Sequence, residues 1–304
     1  MLKSIITVTL IVNQLAAVEG PYREELGYQA VHRGRISAAQ AHLWAAPALR
    51  DREFLILKPA SGRDVYLRFI EDAAAEVPAA GTSHGWNALE LLASDPDALA
   101  RRFEDGPFRT VGPPRNLGPG PTAPRAMQAI GPAGELLYFT RVPVPMLAGI
   151  PMSPAAAPVD RIFIMVLGGP SLPELRDYYG SRLGLPVGET ARWQITTLSR
   201  ALGLPLDTVY PLAVAPLPRD FLVELDEYPA VAAPRPVRAG ALPGGIAMVT
   251  FGVADLDRLA LDWRAPPSRI AEFPYSGQRA AATVGPAGEW LELVEIAGLA
   301  SDPD

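Results

Sequence analysis

The sequence predicts an α+β protein assembled by internal duplication, and three observations carry that prediction. The pentapeptide GPAGE at Gly131–Glu135 recurs unchanged at Gly285–Glu289, 154 residues later, and an apolar strand follows each copy (136–141 and 290–295). Residues 5–12, an apolar and β-branched run, have a counterpart in character at 159–166. A helix-like segment then follows each of these, at 18–28 and 172–185, with Gly27 and Gly184 placed where a helix end favours a left-handed residue. Self-similarity at a fixed offset marks a repeated architecture.

Taken in order, residues 5–12 read as a first strand. Lys3 and the apolar run have some likeness to a signal peptide, but Asn13 and Gln14 interrupt the run before any small-residue cleavage site. Strands at 53–58 and 64–71 close the first unit. Trp86–Leu92 followed by Asp97–Phe103 opens a second strand–helix unit. The third begins at 159 and continues through strands at 210–215 and 220–227. Ile246–Val253 followed by Leu256–Leu261 is expected to open the fourth as strand and helix. Connectors rich in Pro, Gly and Ala lie near 72–85, 143–158 and 229–245. The expected domains are 1–145, with units 1–71 and 83–142, and 158–298, with units 158–228 and 244–298. Residues 146–157 would link them.

Composition narrows the function. With 304 residues, 49% hydrophobic and 20% charged, the chain has the balance of a globular protein with a sizeable core. A formal charge of −6, without a Lys/Arg run, argues against nucleic acid and anionic lipid as partners. No stretch is long enough to span a membrane, and the cytoplasm is the expected location. Zero cysteines exclude disulfides, thiolate metal sites and a Cys nucleophile. The three histidines are His32, His42 and His84, so any metal site must be poor in imidazole. No nucleophile elbow, zinc signature, phosphate loop or dinucleotide fingerprint is present.

The strand-then-helix phrase ending Leu26-Gly27-Tyr28, its copy Leu183-Gly184-Leu185, and the GPAGE turns before the final strands resemble the vicinal oxygen chelate superfamily. That superfamily contains glyoxalase I, extradiol dioxygenases, methylmalonyl-CoA epimerase and the bleomycin-binding proteins. The resemblance implies four βαβββ modules paired into two glyoxalase-like half-barrels, each enclosing a ligand cavity. It leaves open which modules pair. In metal-dependent members, ligands come from a module's first strand, usually His, and its last strand, usually Glu. Those positions fall here on Thr7, Asn87 or Ala88, Arg161 and Met248, and on Arg68, Tyr138, Glu224 and Glu292. No His occupies any of them, and a guanidinium in a first coordination shell repels a cation. No metal and no cofactor is therefore expected.

Arg68 alternates with Leu67 and Phe69. It is expected either to hold an anionic ligand group bidentately or to be solvated on the strand's outer face. Tyr138, aligned with it, would share the same cavity as ligand-orienting hydroxyl or as packing. His84 and Trp86 precede the second unit's strand; His84 is a candidate acid/base or a surface residue, and Trp86 a ligand contact. His32 and His42 are read as structural or exposed. Trp44, Trp193, Trp290, Tyr178 and Tyr179 are read as core. Arg161, Glu224 and Glu292 are expected to cluster in the second half's cavity, with Glu224 and Glu292 as catalytic candidates beside His84.

Two kinds of function follow. One is a metal-independent lyase or isomerase acting by proton transfer on a small hydrophobic or aromatic, sometimes anionic, catabolite. The other is a non-catalytic binding protein of the bleomycin-resistance type. A third reading, a dioxygenase or glyoxalase with a displaced metal site, is disfavoured by the absent histidines. A small molecule is the expected partner, and a homodimer stays open.

Overall fold

The computed structural model describes residues 1–296 except 145, 148 and 219. The first module runs β1 (Leu2–Val12), α1 (Ala16–Leu26), β2 (Gln29–Arg35), α2 (Ala38–Leu43), β3 (Glu53–Lys58) and β4 (Tyr66–Glu71). The second has β5 (Gly85–Ala93), α3 (Pro96–Arg102), β6 (Arg109–Asn116), β7 (Arg125–Ile130) and β8 (Leu136–Arg141). A small hairpin, β9 (Met146–Leu147) with β10 (Ile150–Pro151), precedes the third module: β11 (Val159–Gly169), α4 (Leu172–Asp177), β12 (Ala191–Gln194), α5 (Thr196–Leu202), β13 (Val209–Leu217) and β14 (Phe221–Glu227). The fourth has β15 (Gly245–Val253), β16 (Ser268–Arg269), β17 (Arg279–Val284) and β18 (Trp290–Glu295).

Within each module the first and last strands are parallel neighbours, a pairing that requires a crossover. The crossover helix α1 ends at Gly27, which takes the left-handed conformation (φ 74°) that its position predicts. Gly184 does the same at φ 73°. The fourth module departs from expectation. Leu256–Leu261 forms a turn rather than a helix. Its Leu256, Leu259 and Leu261 still pack into the core as a loop.

The strands form two eight-stranded sheets. The first has the order β16-β17-β18-β15-β1-β4-β3-β2, and the second β12-β13-β14-β11-β5-β8-β7-β6. The first module therefore joins the fourth through antiparallel β1 and β15, and the second joins the third through β5 and β11. The expected division at 146–157 is not a division between sheets. Each contiguous half, 1–145 and 158–298, gives one module to each sheet. Pairing is decided by which first-strand edges meet in three dimensions, which sequence distance does not fix.

Period-two alternation sorts side chains onto two faces. Leu67, Phe69, Leu137, Phe139, Val223 and Leu293 turn toward one large core shared by both sheets. Arg68, Tyr138, Glu224 and Glu292 turn the other way, onto the concave faces.

The GPAGE turns hold the two sheets together. The Glu135 carboxylate accepts from its own turn at Ala133 N (2.9 Å) and from the Tyr22 hydroxyl of α1 (2.6 Å). Glu289 repeats this with Ala287 N (2.8 Å) and Tyr179 (3.2 Å). Each tyrosine belongs to one sheet and each glutamate to the other. A Cβ on Gly131 or Gly285 would lie 2.0 Å from that glutamate's Oε1, so any larger residue there would push the carboxylate off its partners.

Candidate functional site

In the first sheet, register places Thr9 beside Arg68 and Thr250 beside Glu292. The first-strand positions expected from the sequence, Thr7 and Met248, are two residues too early. Arg68 and Glu292 are both fully buried and 3.2 Å apart. Glu292 Oε1 accepts from Trp44 Nε1 (2.6 Å) and the Tyr275 hydroxyl (2.7 Å), while Oε2 accepts from Arg68 and the Thr250 hydroxyl (2.6 Å). Arg68 donates from Nε to Thr9 (3.0 Å) and from Nη1 to Tyr275 (2.8 Å), and its Cζ lies 4.7 Å from the Trp44 ring centroid. Trp44 reaches this position because α2, capped by a reciprocal Ser37–Gln40 box, lowers the following residue onto the concave face. Every charged end has a protein partner. Arg68 faces inward as one reading required, but it holds Glu292 rather than a ligand, and Glu292 is not free to act as a base.

The second sheet's concave face is different. The residues equivalent by register are Glu90 beside Tyr138 and Val166 beside Glu224. Asp226 lies two residues beyond Glu224 on the same face of β14 and is buried. Burial pushes the Glu90 carboxyl up to about 8, with the Glu224 charge adding to the rise and the Thr140 hydroxyl opposing it. Burial likewise pushes Glu224 up to about 7, against a stabilising bond to Asp226. Asp226 rises further, first from burial and then from the adjacent Glu224 carboxylate. Neighbouring carboxyls raise each other's pKa, and the two titrate as a pair. Asp226 Oδ1 has no hydrogen-bond partner among the described residues.

Asp226, Tyr138, Tyr228, Thr197, Leu198 and Val166 line a chamber of about 20 Å³, room for roughly one water-sized group. Tyr138 and the Thr197 hydroxyl are 3.3 Å apart. Ala80, Leu136 and Thr197 continue from the chamber into a cleft of about 620 Å³, whose outer walls carry Arg109, Thr110 and Arg200.

The other expected site residues lie elsewhere. Arg161 pairs with Asp220 (3.0 Å) at the end of the linker and does not reach Glu224 or Glu292. The expected cluster of those three does not form, because Glu224 and Glu292 belong to different sheets. Arg68 and Tyr138 are separated in the same way. Trp86 is buried and donates from Nε1 to Trp290 O (2.8 Å), joining the sheets; it borders a small pocket with Asn87, Glu135 and Arg235, apart from the chamber at Asp226. His84 is 9% exposed, its backbone N–H held by Ala233 O (2.9 Å), and burial lowers its pKa. Trp193, expected in the core, is 51% exposed on edge strand β12. Glu90 and Asp226 are site residues that the sequence pattern does not single out. Their only signals are a lone acid inside the apolar strand 86–92 and two acids at i, i+2 in 221–227.

The residues at the superfamily's ligand positions do not fit a divalent metal. Arg68 fills the first sheet's site. In the second, Val166 offers no donor, and Glu90, Glu224 and Asp226 do not bring three oxygens within 4.8 Å of one another. Among the described residues that grouping occurs only at Asp255, Asp257 and Glu295, where Arg279 pairs with Asp257 (2.7 Å) and Glu295 (3.1 Å).

No protein-family model matches the chain, and no curated protein matches it. Solved structures do. Glyoxalase I from Zea mays superposes with a TM-score of 0.62 at 14% identity, over 96% of this chain and 92% of that one. A putative dioxygenase from Bacillus subtilis superposes with a TM-score of 0.58 at 12% identity, over 97% and 85%. Identities this low speak for architecture alone. With its four modules paired into two curved sheets, three of them βαβββ-type and the fourth with a turn in place of its helix, the chain has the fold of the vicinal oxygen chelate superfamily.

Proposed function

We propose that the chain binds a small organic molecule on the second sheet's concave face and moves a proton on it without a metal, as a lyase or isomerase does. The observation that supports this reading is Asp226, a buried carboxyl with an unpartnered oxygen beside the half-buried Glu224, in the wall of a chamber that shares Ala80, Leu136 and Thr197 with a cleft of ligand size. A carboxyl whose pKa lies near the working pH is suited to both giving and taking a proton. Glu224 at about 7 meets that condition. Glu90, beside Tyr138 on the same sheet, has its carboxyl pushed up to about 8 by burial and so holds its proton at neutral pH. Tyr138 orients the bound molecule through its hydroxyl. The body of the ligand lies in the cleft against Val111, Ile130 and Leu136.

A chemically varied panel tests this without a named substrate. Small carbonyl, enol and aromatic compounds are screened by ligand-observed NMR in D2O, which reads binding and hydrogen-to-deuterium exchange together. At least one compound is expected to bind and to exchange an acidic C–H. Glu224→Gln should abolish the exchange, while Glu292→Gln should leave it intact in whatever protein folds. Binding without exchange for every compound would replace catalysis with sequestration. Exchange that survives Glu224→Gln and Glu90→Gln would remove this face from the chemistry.

A further inference from the structure

The two concave faces carry opposite charge patterns at equivalent positions. Where the first sheet has Arg68, the second has Glu224, 156 residues later, and where the first has Glu292 the second has Tyr138, 154 residues earlier. Thr250 is replaced by Glu90, and Asp226 adds a further acid. The first face is thus complete, with a guanidinium held between a carboxylate and two aromatic rings. The second keeps aromatic walls, Tyr138 and Tyr228, and three carboxyls. No ion pair among the described residues involves Glu90, Glu224 or Asp226. The basic group nearest in influence, Arg235, acts on Tyr228 and is held by Ser83 Oγ (3.0 Å), Ile246 O (2.7 Å) and Trp86 O (2.8 Å).

We infer that the second face takes an organic amine, its ammonium seated in the chamber against Asp226, with Glu224 behind it, and its body in the adjoining cleft. The inference rests on the reading of that face as a ligand site, and it narrows the ligand from a hydrophobic or anionic molecule to one with a cationic head. Three features support an amine. A buried carboxyl such as Asp226, with a second carboxyl beside it and no counter-ion, is costly, and a cation removes that cost, as Arg68 does in the first sheet. Asp226 Oδ1 is buried, lacks a partner and belongs to a residue of the chamber wall, so it is available as an acceptor. The chamber's volume of about 20 Å³ accepts a group the size of a water molecule, which fits an ammonium better than a planar guanidinium. Tyrosine faces add favourable contact for a cation. At the outer end, Arg109 and Arg200 line the cleft and select against a second cationic terminus.

Titration calorimetry of the intact protein with benzylamine, benzyl alcohol and benzoate tests this, since the three share a body and differ in head charge. Benzylamine is expected to bind at least tenfold more tightly than the alcohol, with benzoate undetectable. Its measured heat should vary with the buffer's ionisation enthalpy, because the ammonium displaces a proton from the Asp226 and Glu224 pair. Asp226→Asn and, independently, Glu224→Gln should each weaken benzylamine at least tenfold in folded protein. Equal binding of amine and alcohol would overturn the inference, as would amine binding indifferent to both substitutions. Benzoate or alcohol binding that is lost in Glu224→Gln would overturn the amine while keeping the face as a ligand site. If none of the three binds, the amine inference falls, and the exchange screen still decides the broader reading.

Discussion

The two concave faces show how one duplicated framework can be closed or left open. On the first, α2 brings Trp44 over the sheet, and Glu292 has all its acceptor sites filled by Trp44, Tyr275, Thr250 and Arg68. On the second, α5 occupies the corresponding place between β12 and β13, but Thr197 and Leu198 line a chamber instead of filling it. The first face converts buried charge into a satisfied network that contributes to holding the sheet together. The second retains buried carboxyls without a counter-charge, and their altered acidity is the mark of a site rather than of a core. Within a repeat, the copy that kept unsatisfied polar groups is the one to examine for chemistry.

The largest test of this contrast removes one charge from each face. Arg68→Ala strands the Glu292 carboxylate and should cost ~3–5 kcal/mol in denaturant unfolding. Arg68→Met with Glu292→Gln should recover much of that loss. Glu224→Gln on the open face should be neutral or stabilising, since it removes like-charge repulsion. Equal destabilisation by Arg68→Ala and Glu224→Gln would erase the contrast.

The pH dependence of stability comes next. Glu90, Glu135, Glu224 and Glu289 have pKa values raised from 4.5 to about 8, 7, 7 and 7, chiefly by burial. Between those values the folded state binds more protons than the unfolded one. Stability is therefore greatest below about pH 4.5 as far as these groups are concerned, and it is lost as pH rises through 7 to 8. Each group contributes at most ~1.4 kcal/mol for every tenfold weakening of its acidity on folding, before solvent relaxation. The unfolding midpoint should rise on going from pH 8 to pH 5.5. Glu90→Gln with Glu224→Gln should flatten that slope. A midpoint that rises with pH over this interval would contradict the burial of these groups.

The GPAGE bolts give a smaller effect. Tyr22→Phe and Tyr179→Phe each leave a buried carboxylate one donor short, at ~1–2 kcal/mol. Tyr22 should cost more, its bond being 2.6 Å against 3.2 Å. Smallest of all, Thr197→Val removes the partner of Tyr138 at ~0.5–1 kcal/mol. It should alter ligand binding on the second face more than it alters the unfolding midpoint.

Much of this is legible in the sequence. The duplication, the first and last strands of each module and the glycine helix ends all follow from local pattern, whereas the direction of Arg68 stays open between an inward and a solvated face. The pairing of modules does not, because β1 meets β15 across more than two hundred residues and no local signal names that partner. Register is the second loss. Thr7, Met248 and Ala88, the last given with Asn87 as alternative, stand two residues before Thr9, Thr250 and Glu90, right in face and wrong in ladder step, while Arg161 stands five before Val166 and misses the face as well. That shift conceals Glu90, the first-strand acid of the open face. The GPAGE glutamates stand out as a turn signature, but their bonds to Tyr22 and Tyr179 depend on the packing of one sheet against the other.

The nesting of one module pair inside the other also governs how the chain is completed during synthesis. The second sheet uses residues 85–227 and can close once its own strands have emerged. The first sheet begins with β1 at Leu2–Val12, yet the edge of β1 that pairs with β15 waits until residues 245–253 are made. Over that interval the first module presents an apolar strand edge without its partner, the condition that favours pairing with a neighbouring chain. The inner pair is complete at residue 227, whereas the outer pair, closed by Glu292 and its four partners, needs both ends of the chain.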